Sequence, residues 1–183
     1  MKALFAVPAL VAALAATAAV AKSNWVIDPA RTHIRFAIDA AGWPRTSGEF
    51  RKFDGRITVD FERPERSHVA FSVRSESLDI GSASFEGFVR GPAMLNADAF
   101  PTISFESTSV EKTSDKSVRV AGDLTLLGVT KPLAVDIDVT RAGGRLEFTA
   151  HAHLNRLDWG FNSGFPIISK DVEIDITSAA KEL

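Results

Sequence analysis

From Trp25 onward, apolar and polar residues alternate with a period of two in about eight segments separated by turn-forming residues, which is the pattern of amphipathic strands. Ile34, Phe36 and Ile38 mark the first. Phe53, Ile57, Val59 and Phe61 share one face of the second, with Asp54, Arg56, Thr58 and Asp60 on the other. Val69, Phe71 and Val73 mark the third, and Ile103 and Phe105 begin the fourth after Pro101. Val118, Val120, Leu124 and Leu126 make the fifth, with a break expected at Gly122. Leu133, Val135, Ile137 and Val139 oppose Asp136 and Asp138 in the sixth. Leu146, Phe148 and Leu154 oppose Glu147, Thr149, His151 and His153 in the seventh, and Val172, Ile174 and Ile176 make the eighth. The sharpest stretch is Val120 to Leu133. There one strand ends, Gly128 gives the backbone freedom for a reversal, and Pro132 fixes φ as the next strand begins.

One interval departs from this period. Between Ser84 and Ala99, Phe85, Phe88 and Val89 fall at i, i+3 and i+4, Glu86 sits in the first turn, and Pro92 suits the start of another helix. The pattern predicts two short helices between strands three and four. Gly143-Gly144 and the Thr113 to Ser117 stretch read as hairpin turns. About eight amphipathic strands in one domain close as an up-and-down barrel or stack as a sandwich. A barrel of this size is filled by side chains or holds one small ligand. Its inward faces here are aliphatic and aromatic, so any ligand is expected to be greasy.

The first 21 residues lie outside this pattern. Lys2 is followed by an uncharged, alanine-rich run from Leu4 to Val20, and Ala19-Val20-Ala21 offers a signal-peptidase site. A signal peptide over 1–21 and a single domain over 22–183 follow as expectations, with a soluble periplasmic product that has no stable membrane anchor. The formal charge is −2, with 21 basic and 23 acidic residues and no basic run, which argues against nucleic-acid binding. Cysteine is absent, so neither a disulfide framework nor lipid attachment through a cysteine is available.

Five stretches resemble the YceI family of exported, lipocalin-like bacterial proteins: Trp25-Val-Ile-Asp28-Pro29; Gly48-Glu-Phe50 with Phe53-Asp-Gly55; Phe100-Pro101-Thr-Ile-Ser-Phe105; Gly122 to Pro132; and Leu154-Asn-Arg156-Leu-Asp158-Trp159-Gly160-Phe161. The resemblance implies an all-β, about eight-stranded antiparallel barrel with a long apolar cavity, carrying one or two short helices between strands three and four. It also implies binding of a polyisoprenoid, isoprenoid quinone or fatty-acid-like lipid in the periplasm. Positions where the family often has histidine are occupied here by Arg31-Thr32, Ala40 and Glu86-Gly87-Phe88-Val89, and its paired aromatics align with Met94 and Leu95.

Phe36, Phe71, Phe85, Phe88, Met94, Phe105 and Phe165 are the candidates for a cavity wall, although the same pattern fits a filled core. Arg156, Asp158, Trp159 and Phe161, next to Asn155, form the richest polar and aromatic cluster. Arg156 there either meets the head group of a ligand or pairs with Asp158 at a strand end. Arg31 is a weaker candidate for a polar contact. His151-x-His153 shares one strand face but lacks a third metal ligand, and it lies opposite the apolar face, so no metal site is expected. Gly160-Phe-Asn-Ser163-Gly164 is not a nucleophile elbow, and Gly81-Ser-Ala-Ser lacks the lysine of a phosphate loop. The expectation is a lipid-binding transport protein with no covalent cofactor and no catalytic residues. The alternatives are a lipid-modifying enzyme using the same cavity and an interaction module packed solid. A homodimer is expected only if a sandwich leaves a sheet edge open.

Overall fold

The computed structural model describes residues 22–183, so the leader expected over 1–21 lies outside the described residues. Eleven strand segments form one antiparallel sheet: β1 (Ser23–Ile27), β2 (His33–Ala40), β3 (Trp43–Phe50), β4 (Phe53–Val59), β5 (His68–Arg74), β6 (Leu78–Asp79), β7 (Thr102–Lys112), β8 (Ser117–Leu126), β9 (Val129–Ala142), β10 (Arg145–Asn155) and β11 (Ile168–Glu182). They make eight staves, because β1–β2, β3–β4 and β5–β6 are each one bent strand. Each of these pairs keeps its neighbour across the bend, as Trp25 faces Ile57 and Ile34 faces Phe50. The staves run up and down in sequence order. The barrel then closes where β11 pairs with both β1 and β2, from Trp25 opposite Glu182 to Ile38 opposite Val172. Closure leaves no free sheet edge along this seam, and with it goes the reason for expecting an edge-paired dimer.

The barrel has two poles. One carries the β2–β3 turn, the only α-helix among the described residues, α1 (Ala83–Arg90), the β8–β9 turn and the connection 156–167. The other carries the β4–β5 connection, the β7–β8 and β9–β10 turns, and both ends of the described residues, where the Leu183 amide donates to Asn24 O at 2.8 Å. We call these the α1 pole and the hairpin pole.

The eight alternating segments correspond to β2, β4, β5 and β7 to β11. Three segments were not visible in the pattern. β3, Trp-Pro-Arg-Thr-Ser-Gly-Glu-Phe, has almost no apolar alternation and is held by backbone pairing to β2 and β6. β1 has its apolar residues Trp25 and Ile27 on one face but is short, and β6 has two residues. Phe61, placed on the second strand from sequence, lies beyond the end of β4 and is exposed.

β8 does not break at Gly122. The irregularity falls on its partner instead, with a register shift between Ser107 and Ser109 of β7. The β8–β9 reversal is a two-residue turn with Leu127 and Gly128 both at positive φ, 51° and 74°, the hand that suits a tight hairpin.

Of the two helices expected between β6 and β7, one forms. Residues 92–99 hold turns and no second helix, because the first of their amides close off the end of α1, Leu95 N donating to Val89 O and Ala97 N to Arg90 O, each at 2.9 Å, while Ala99 N closes a separate turn on Asn96 O at 3.0 Å. The first turn of α1 is tied down by Glu86, which accepts the amides of Ile80 at 3.0 Å and Gly81 at 3.2 Å.

Candidate functional site

The inward faces do not meet in a solid core. Buried residues fall into two separate clusters, one around Leu78, Leu95, Leu124 and Trp159, the other around Trp25, Ile57, Leu146 and Ala180. Between them, inward-pointing Phe36, Phe71, Phe105, Ile137 and Ile174 keep accessible surface, because they border a cavity of about 1520 Å³. That exceeds the roughly 300–1,000 Å³ of ordinary small-molecule pockets. The cavity spans the barrel from the α1 pole, where exposed Trp43, Phe85 and Ile167 line it, to the hairpin pole, where exposed Phe61, Lys116 and Arg141 do.

Glycines help to keep the lumen open. Phe71 faces Gly55 across β4 and β5, and a Cβ at Gly55 would stand 2.6 Å from the Phe71 ring. A Cβ at Gly122 would stand 2.6 Å from the ring of Phe105, and Phe36 faces Gly48 in the same way. Each ring therefore lies over the bare backbone of the neighbouring strand, against the wall instead of across the lumen. These glycines fall within the family-like stretches, and their role is steric.

The residues singled out from sequence separate into two groups. Phe36, Phe71, Phe85, Met94, Phe105, Arg156 and Phe161 border the cavity. Phe88, Asp158, Trp159 and Phe165 do not. Phe88 is exposed on α1 and stacks on Phe85 with ring centroids 6.3 Å apart. Trp159 is buried in the α1-pole cluster, where its indole N–H donates to Leu124 O at 3.0 Å. Asp158 is exposed and accepts from Asn155 Nδ2 at 3.3 Å, and Phe165 is exposed in the connection. At the pole, periodicity fixes which residues share a face but not whether that face looks into the lumen.

Arg156 is neither paired with Asp158 nor solvated. It is 1% exposed, and its guanidinium donates to three backbone carbonyls, those of Ser169 at 2.7 Å, Ile168 at 2.9 Å and Phe161. It also lies 5.3 Å from the centroid of the Phe161 ring. Burial lowers its pKa from the ordinary arginine value. The fork thus fastens the 156–168 connection to the start of β11, and its charge is met by carbonyl dipoles. Arg31 reaches Glu147 at 3.7 Å on the outer surface.

Several outer-face carboxylates and one histidine of the sequence-predicted pairs are engaged with one another or with arginine. His151 Nδ1 lies 2.5 Å from Asp175 Oδ1, and Arg119 grips Asp136 with two contacts of 2.9 Å. Arg45 pairs with Glu173. Among the described residues no group of three or more His, Cys, Asp or Glu side chains is placed to hold a metal.

A closed, all-antiparallel eight-stave barrel around an end-to-end apolar cavity defines the class: this is a hollow barrel of lipocalin-like architecture. The chain belongs to the YceI family, since the YceI-like domain matches residues 25–180. A UPF0312 protein of Yersinia pestis is 32% identical over 160 residues, 83% of each chain. Another, of Shewanella oneidensis, is 33% identical over 173 residues, 90% of this chain and 91% of its own. Among solved structures the fold is similar to Burkholderia cenocepacia BcnA, with a TM-score of 0.80 at 21% identity, covering 85% of this chain and 99% of that one. It is also similar to a polyisoprenoid binding domain from Saccharophagus degradans, with a TM-score of 0.71 at 13% identity, covering 87% and 98%.

Proposed function

We propose that this protein is an exported periplasmic carrier that shields a long-chain amphiphile from water inside the barrel, as a binder and not as a catalyst. The observation that carries this reading is the pole-to-pole cavity, whose strand walls are mainly aliphatic and aromatic. Burying apolar surface there contributes roughly 25 cal/mol per Å², so affinity scales with the length of chain enclosed. A polyisoprenoid, isoprenoid quinone or fatty-acid-like chain fits such a lumen. The description of the Saccharophagus degradans neighbour as a polyisoprenoid binding domain supports the isoprenoid option. Export rests on the leader read from residues 1–21. A module packed solid does not match a cavity of this size.

Native mass spectrometry with lipid extraction tests the reading. Protein purified from its own periplasm, or exposed to a mixture of polyprenol, quinone and fatty acid, is expected to carry a long-chain adduct. Absence of any adduct under both conditions overturns the proposal. Phe71→Arg, which places a charge on the middle of the wall, is expected to abolish loading in a folded protein, and full loading of that variant would locate the ligand elsewhere.

A further inference from the structure

The side chains at the α1 pole that looked most like a head-group site are committed to the fold, Arg156 to three carbonyls and Trp159 to Leu124. The hairpin pole is different. Asp60 is 2% exposed and borders the cavity. Its Oδ1 accepts the Arg63 amide at 2.9 Å, while Oδ2 has no hydrogen-bond partner among the described residues. The Nε atoms of Arg63 and Arg66 both stop 3.8 Å from Oδ2, close enough to offset its charge and too far to hydrogen-bond it. Trp25 is 1% exposed, and its indole N–H is likewise without a partner among the described residues. Arg141 joins the two sides. Its guanidinium carbon sits 6.0 Å from the Trp25 ring centroid and 5.3 Å from that of Phe61, the neighbour of Asp60. It borders the cavity and makes no ion pair among the described residues.

An unpartnered buried acceptor and an unpaired cation, Asp60 and Arg141, thus both border one end of an apolar lumen, while Trp25 is packed in the buried cluster beside it. Buried polar groups are as a rule hydrogen-bonded, because leaving them bare is costly. Taking the lipid-binding reading as its basis, we infer that this pole is a head-group subsite for a hydroxyl, which holds a long-chain alcohol with its oxygen here and its chain running toward α1. The hydroxyl donates to Asp60 Oδ2 and accepts from Arg141. One group meets both needs. A carboxylate head has no proton for Asp60, and an ether lacks the donor as well.

The test is displacement of N-phenyl-1-naphthylamine from the full mature chain by four chain-matched competitors: hexadecan-1-ol, 1-methoxyhexadecane, hexadecanoate and hexadecane. The alcohol is expected to compete about tenfold better than its methyl ether, the difference made by buried hydrogen bonds. That preference should collapse in Arg141→Gln, an exposed position where folding is not at risk, and in Asp60→Asn, checked for folding by its thermal transition. It should survive in Arg119→Gln on the outer face. Equal competition by alcohol, ether and alkane overturns the subsite while leaving lipid binding in place. Stronger competition by hexadecanoate overturns the hydroxyl assignment in favour of an anion. If neither the dye nor any competitor binds, the lipid-binding reading fails and the subsite falls with it.

Discussion

At the scale of single residues, Arg156 shows how far residue type determines role. In the sequence it stands two positions from Asp158 beside two aromatics, a setting that suits an ion pair or a head-group contact equally. The fold gives its planar fork three carbonyls arranged around it, from Phe161, Ile168 and Ser169, and no carboxylate. Lysine carries the same charge on a single ammonium and does not span three acceptors. Arg156→Lys is therefore expected to destabilise the fold by about 2–3 kcal/mol, since it leaves buried carbonyls unmet. A drop of about 5–10 °C in a thermal melt would register this. A melt unchanged from wild type would mean that the clamp contributes little. The wall residues were more legible. Phe36, Phe71 and Phe105 sit on strict period-two faces, and period two decides inside from outside once a sheet closes. Phe88 and Trp159 come from a helix and a tight turn at the pole, where spacing carries no such information.

At the scale of elements, the strands that were legible are those with one wet and one dry face. β3 has neither, and only pairing with β2 and β6 defines it. The helical interval was legible as helix, but its length was not, because the amides of Leu95 and Ala97 return to α1 as caps, an arrangement decided by chain path. The corner between β1 and β2 offers a quantitative check. Asp28 accepts the Ala30 amide at 3.2 Å, and its other oxygen lies 3.0 Å from Lys181 Nζ of β11, so it ties the corner to the seam that closes the barrel. The Lys181 ammonium holds the Asp28 carboxyl below its ordinary pKa, aided by the Ala30 amide and opposed by burial. A carboxyl depressed in the folded state contributes stability that is present above the unfolded value, about 3.9, and is lost as pH falls through the folded value. Asp28→Asn should therefore lower the urea midpoint at pH 7, with the gap to wild type closing below about pH 4. A gap that stayed constant down to pH 2.5 would assign the loss to the amide geometry and not to the charge.

At the scale of the whole molecule, the decisive property is that the barrel is hollow, and this was the least legible from sequence. Alternating aliphatic and aromatic faces are compatible with a filled core. What distinguishes the hollow case is how the rings are seated, with Phe36, Phe71 and Phe105 lying over Gly48, Gly55 and Gly122. A packed interior and a hollow one respond oppositely to added volume. In a close-packed core an extra ring forces side chains off their rotamers and costs about 1–3 kcal/mol. Ala152 lies on the inner face of β10 opposite Ile174 and borders the cavity in the half of the strand nearer the α1 pole. An indole placed there has lumen to occupy. Ala152→Trp is accordingly expected to change stability by less than about 1 kcal/mol, or about 2–4 °C in the melting temperature. The same change should weaken long-chain binding by at least about tenfold, because the chain and the indole compete for one volume. Both readings come from one preparation, a thermal melt with and without hexadecan-1-ol. The ligand should raise the melting temperature of the wild type through its preference for the folded state and have little effect on the variant. A variant that melts far lower than wild type yet is still stabilised by the alcohol would mean that this stretch of wall is packed and that the ligand lies elsewhere in the barrel.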